Sequence, residues 1–265
     1  MKKFFLIFAT LAFVAIACNP KDDPAKPDDG NNQENPDDNK PEEKPTITID
    51  GSFDDWAAMP AEKVKVAKNA SDGSWEAVKE IRVYANEEFV FYYIEFQKDT
   101  AKELLDDCFN KNSEDKDGDG MPIRLCINTD GEFESGYTSY FLDGYDFIIE
   151  GSLASENGVW GNFDGNFYQR IEIDGKMKWY NLKEAGNGIC AGAGKDNKYE
   201  IMVIRAMFNA AALASPVPMQ MGDNFQTGIR FYDPWWAELS NMPNENVSDD
   251  NTNGYGHLLD ITVDK

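Results

Sequence analysis

Two runs rich in apolar residues, 76–85 and 89–96, flank Asn86-Glu87-Glu88. With Val78, Ile81, Val83, Phe89, Phe91, Tyr93 and Ile94 offering apolar faces, the pattern predicts a β-hairpin. Further strand-like runs follow at 123–128, 145–150, 167–173, 176–180, 198–205, 224–232 and 258–263, and Asp174-Gly175 reads as a two-residue hairpin turn. Only 100–109 and 207–213 read as helices. Short strands at this spacing, with two short helices, predict an all-β fold: one antiparallel β-sandwich, immunoglobulin- or jelly-roll-like.

The chain before these strands has a different character. Residues 1–17 place Lys2 and Lys3 ahead of an apolar run that is too short to span a bilayer and ends in small residues, the form of a secretory signal. Its end, Ala15-Ile16-Ala17-Cys18, resembles a lipobox, and makes Cys18 the candidate lipidated residue; the alternative is an ordinary signal with an incidental Cys. Lys21-Asp22-Asp23 resembles a sorting signal for the outer face of the outer membrane. Residues 18–45 combine six prolines with Asp, Asn, Glu and Lys and have no aliphatic residue larger than Ala, so they predict a disordered tether. Residues 46–265 are long enough to bury the core of one large sandwich.

A formal net charge of −23 sets an acidic surface that repels phosphate backbones and anionic lipid. Nucleic-acid binding is excluded on that ground, and membrane contact is expected only through the anchor. Cys108, Cys126 and Cys190 show no C-x-x-C spacing, which points to structural burial, with or without one disulfide.

The run Ile47-Thr48-Ile49-Asp50-Gly51-Ser52-Phe53-Asp54-Asp55-Trp56 begins with a short strand and a turn, and it resembles the opening of carbohydrate-binding module family 9 and its DOMON-type relatives. The stretch 81–91 is similar to that family's second hairpin, Ile127-Asn128-Thr129-Asp130-Gly131 to its Asp-Thr-Asp turn, Gly144-Tyr145-Asp146-Phe147 to its Gly-Tyr-Asp-Tyr entry, and Tyr199-Glu200-Ile201 to its Tyr-Glu-Ile-Glu strand. Asn128 replaces the first Asp of the turn, and Gly256-His257-Leu258 stands in place of a Trp-Gly-hydrophobic finish. The resemblance implies a β-sandwich that binds sugar without catalysis. It further implies that Trp56 plugs one end of the sandwich and that Asp130 contacts a metal.

Asp115, Asp117 and Asp119 alternate around Gly118 and Gly120, an arrangement whose carboxylates can converge on one hard cation. Cys126 stands where an EF-hand would place its Glu, so only half of that loop is present. Structural Ca²⁺ is the expected cofactor, with Asp130 a lesser candidate; the bland alternative is an acidic solvated loop.

Sugar binding needs flat aromatic faces against pyranose C–H groups, beside polar groups for the hydroxyls. Trp235 and Trp236 leave a strand together after Tyr232 and open a polar loop, 237–256. Neighbouring side chains on a strand point to opposite faces, so at least one of the two is expected outside the core. Trp160, in a glycine-rich loop, is the fourth ligand-binding candidate beside Tyr232, Trp235 and Trp236. Trp56 and Trp179 are expected to be structural.

One His, His257, and no G-x-S-x-G turn leave little for a hydrolase triad, so no enzyme is expected. The rivals are a protein-binding scaffold of a surface nutrient-uptake complex, a haem-binding domain and a glycoside hydrolase. Asp99-Thr100-Ala101 fits a short O-glycosylation pattern.

Overall fold

A computed structural model describes residues 46–69, 78–97, 121–137, 144–153, 155–156, 159–182, 188–233, 236–244 and 258–265. Residues 44–265 form one compact unit. The signal segment, Cys18, the tether, the expected helix at 100–109, the Asp115 loop, Cys108, Trp235 and His257 lie outside the described residues, as does the Asp99-Thr100-Ala101 pattern.

The described residues form two sheets of antiparallel strands. The first contains β1 (Lys65–Lys68), β2 (Val78–Ala85), β3 (Phe89–Phe96), β6 (Ser155–Glu156), β7 (Val159–Trp160), β10 (Cys190–Lys195) and β11 (Lys198–Ile204), in the spatial order β1-β2-β3-β11-β10-β7-β6. The second contains β4 (Met121–Asn128), β5 (Phe147–Leu153), β8 (Asn166–Ile173), β9 (Lys176–Asn181), β12 (Asn224–Tyr232) and β13 (Glu238–Met242), in the order β13-β12-β4-β5-β8-β9, and β14 (Leu259–Thr262) pairs with β12. Two short helices, α1 (Asp54–Ala58) and α2 (Arg205–Leu213), accompany them. The all-β antiparallel sandwich expected from the strand spacing is what the chain forms.

Alternation explains the core. Ile81, Val83, Tyr92, Ile94 and Tyr199 face inward from the first sheet, and Ile123, Leu125, Ile127, Phe147, Ile149 and Phe231 from the second, all buried in one cluster. A polar bond joins the layers through this core: Tyr92 donates its hydroxyl to Thr227 Oγ1 at 2.9 Å, and Thr227 in turn donates to the Cys126 carbonyl at 2.7 Å. Passing the proton along in this way leaves none of these buried oxygens without a partner. Phe208 of α2 packs on Phe167 and Phe147, with ring centroids 4.6 and 5.0 Å apart. The Asp174-Gly175 turn is as expected, since both residues have positive φ (55° and 71°) and Ile173 pairs directly with Lys176.

The entry segment differs from its expectation. Ile47 to Ile49 pairs with no strand among the described residues; Thr48 donates its N–H to Asp55 Oδ2 at 2.7 Å, so a side chain does the work of a ladder partner. Trp56 is buried, as the motif implied, yet it does not plug an end of the sandwich. It lies on the outer face of the first sheet against Tyr93, in a second apolar cluster with Ile47, Met59, Tyr84 and Phe91.

The region expected to be a loop from 237 onward also contains a strand, β13. Met242 buries its side chain opposite Ile229, and Glu238 accepts from Arg230 Nη1 at 2.7 Å. These two contacts hold an edge strand that its composition does not advertise.

Candidate functional site

The inward residues of the second sheet leave every other side chain on its outer face. Those side chains are Arg124 and Cys126 of β4, Ile148 and Glu150 of β5, Tyr168 and Arg170 of β8, Trp179 of β9, and Arg230 and Tyr232 of β12. Three arginines and several aromatic rings thus share one surface of a strongly acidic chain.

Arg230 and Arg124 sit directly opposite each other in register, an arrangement that repels unless each charge is balanced. Each has its own carboxylate: Arg124 Nε donates to Glu150 Oε2 at 2.6 Å, and Arg230 bonds Glu238 at 2.7 Å. Arg124 also donates to the Tyr232 hydroxyl at 3.1 Å, and its guanidinium lies 4.8 Å from the Tyr232 ring centre and 5.3 Å from that of Trp236. Burial alone would lower the Arg124 pKa, but Tyr232 and Glu150 outweigh it and raise it, so the cation is secure. Burial pushes the Tyr232 phenol up to about 12, which keeps it a neutral donor and acceptor.

Trp236 is 43% exposed and packs on Tyr232 with ring centroids 5.6 Å apart. A β-bulge between Phe231 and Tyr232 precedes it. The turn at 233–237 closes through Asp233, which donates its N–H to the Ala237 carbonyl at 2.9 Å and accepts the Ala237 N–H on Oδ1 at 2.8 Å. This turn holds Trp236 at φ 67°, the left-handed region that a bulky residue enters at a cost of roughly 1–2 kcal/mol. The strain is spent on keeping a large ring in solvent beside a cation.

The face continues through Tyr137, Tyr145 and Trp179. Tyr137 stacks with Trp179 at 5.6 Å and tilts against Tyr145 at 5.0 Å, while Arg230 lies 5.2 Å from the Tyr145 ring centre. Cys126 is buried beneath these rings, and that burial pushes its thiol up to about 11. Beside it a shallow hollow with room for about one water is lined by Cys126, Gly228, Ile229, Arg230, Asn241, Met242 and Leu258. It is far too small to enclose a ligand. Four buried polar atoms on or bordering this sheet, Tyr145 Oη, Arg170 Nε, Gln226 Oε1 and Asn241 Nδ2, have no hydrogen-bond partner among the described residues.

The structure brings Tyr232 and Trp236 together, as their sequence position suggested, and Trp235 lies outside the described residues. Trp160 is elsewhere. Its ring stacks on Phe96 at 6.0 Å and tilts against Tyr199 at 5.1 Å, and its indole donates to the Asp196 carbonyl at 3.1 Å. It thus packs against the core from the first sheet while remaining partly exposed, away from Tyr232 and Trp236. Asp130 is exposed and holds its own turn, with Oδ1 accepting from the Glu132 N–H at 2.8 Å. Among the described residues no three His, Cys, Asp or Glu side chains gather as a metal site; Asp115, Asp117 and Asp119 lie outside them. Cys126 and Cys190 are both free thiols.

The three arginines, Tyr137, Tyr145 and Trp179 were not among the residues singled out for ligand contact. Arg124 was within reach, since Ile123, Leu125 and Ile127 define the inward parity and leave Arg124 outward. Trp179 is expected to be structural from its hairpin position, and its contact with Tyr137 and Arg170 follows only once β9 is paired with β8.

No protein-family model matches this chain, and a search of curated proteins finds no match.

Proposed function

We propose that this protein binds carbohydrate without catalysis, holding an oligo- or polysaccharide along the outer face of the second sheet. The observation that carries the reading is Trp236, a strained and exposed ring fixed against Tyr232 and Arg124. A flat apolar ring in solvent suits the C–H face of a pyranose, and the Arg124–Glu150 pair beside it offers donors and acceptors for ring hydroxyls. Hydroxyl exchange with water costs little on such an open surface, so modest affinity and extended contact fit retention better than turnover. The same reading makes the chain a lipoprotein anchored at Cys18 on the outer membrane, facing outward, with its sandwich on a tether near uptake proteins. It also makes the Asp115, Asp117 and Asp119 loop a structural Ca²⁺ site.

A glycan array probed with the wild-type protein and with Trp236→Ala, with and without Ca²⁺, tests this. Binding of at least one glycan that is lost in the variant supports the reading. Silence of the wild-type protein on every glycan, or binding that Trp236→Ala leaves intact, overturns it. Calorimetry with Ca²⁺ that shows no heat, together with an unchanged melting temperature in chelator, removes the calcium site alone.

A further inference from the structure

Arg170 differs from the two other arginines on this face. Arg124 has Glu150 and Arg230 has Glu238, but no carboxylate among the described residues pairs with Arg170. Its guanidinium lies 5.6 Å from the Tyr137 ring centre and 5.5 Å from that of Trp179, and its Nε is buried without a hydrogen bond. Asp and Glu outnumber Lys and Arg by 48 to 25 in this chain, so an arginine that meets no carboxylate among the described residues stands out. A cation walled by aromatic rings, with no counter-ion among the described residues, suits an anion that comes from outside.

We infer that Arg170, with Tyr137 and Trp179 beside it, is the subsite for the carboxylate of an acidic sugar. The inference rests on the carbohydrate reading and narrows its ligand. A guanidinium presents parallel N–H groups that match a carboxylate in two bonds, and the adjacent rings exclude water and offer a surface for the sugar ring that bears it. Tyr145, fully buried, tilts against Tyr137 at 5.0 Å and holds that ring in place from beneath. The net charge of −23 sets a limit: a polyanion would meet repulsion along its length, whereas one carboxylate on an otherwise neutral chain meets only the local cation. The ligand is therefore a saccharide with an isolated uronic acid.

The test uses matched pairs of oligosaccharides, capped by a single glucuronate or galacturonate and the same compounds with that carboxyl reduced to the alcohol. Titration calorimetry with the wild-type protein should show the acid binding roughly 10- to 100-fold tighter than its reduced partner. Arg170→Gln should lose that preference and bind acid and alcohol alike, and a preference retained in that variant overturns the inference. Equal binding of acid and alcohol overturns the inference and leaves the carbohydrate reading standing, as does silence of both acids in a protein that binds neutral glycans. Silence toward acids and all neutral glycans overturns both. If Arg170→Gln fails to fold, the acid-to-alcohol ratio on the wild-type protein decides alone.

Discussion

Trp56 donates its indole N–H to Glu200 Oε2 at 3.0 Å, across 144 residues of chain. The other oxygen of the same carboxylate accepts the backbone N–H groups of Asp50 at 3.0 Å and Gly51 at 2.9 Å. One buried side chain of β11 therefore fastens the whole entry segment to the outer face of the first sheet. Gly51 makes this possible, with φ at 77° and a Cβ position only 3.3 Å from the Gly194 carbonyl oxygen. The Asp-Gly…Trp and Tyr-Glu-Ile motifs, far apart in sequence, are two halves of one contact.

Glu200→Gln should destabilise the fold by about 1–3 kcal/mol, because the amide NH₂ would meet the Trp56 donor while one oxygen remains for the two backbone groups. Trp56→Ala should cost more, about 3–5 kcal/mol, by emptying a site that packs on Tyr93. Urea unfolding measures both. A loss below about 0.5 kcal/mol in Glu200→Gln would contradict the role given to the carboxylate.

Asp146 gives the stability a specific pH dependence. Burial lifts its carboxyl from the ordinary 3.8 to about 6, against the opposing bonds from the Thr129 N–H and hydroxyl, both 2.8 Å from Oδ2. The folded state then holds a proton that the unfolded chain releases between these two values, so stability falls as pH rises through that window. Below pH 3.8 both states are protonated and the cost vanishes; above about 6 it is complete, at about 3 kcal/mol for a shift of this size. Measured against Asp146→Asn, the wild type should lose about that much between roughly pH 3.5 and 6.5. A carboxyl carbon resonance that titrates near its ordinary value would contradict it.

Trp236→Gly separates strain from function. Glycine adopts a φ of 67° freely, so the substitution should leave stability unchanged or raise it by up to about 1 kcal/mol, although it deletes a large ring. Glycan affinity should nevertheless fall at least tenfold. A destabilisation above about 2 kcal/mol would mean that the ring is part of the fold.

Strands with alternating β-branched and aromatic residues were legible in the sequence, and β12 at Asn224–Tyr232 matches its expected range in full. β10 was not, because Cys-Ala-Gly-Ala-Gly-Lys has none of the residues that favour strands. Its glycines serve contacts that only the folded chain contains: a Cβ on Gly194 would lie 2.5 Å from Tyr199 and 2.6 Å from Trp160. β1 was hidden for a related reason, since Ala67 is its one buried residue. At the candidate site, adjacent tryptophans made an exposed ring predictable. Arg124's outward position follows from parity, but the grouping of the three arginines does not, because their partners come from four strands and the segments between them, and their common face exists only after the sheet is ordered.

The indole N–H resonances of the six tryptophans test the central claim most directly, since each reports one place in the fold. With signals assigned by single Trp→Phe substitutions, titration of a bound glycan should move those of Trp236 and Trp179 and leave Trp56, held by Glu200, and Trp160, held by the Asp196 carbonyl, in place. Movement of Trp56 or Trp160 while Trp236 and Trp179 stay fixed would contradict a binding face on the second sheet.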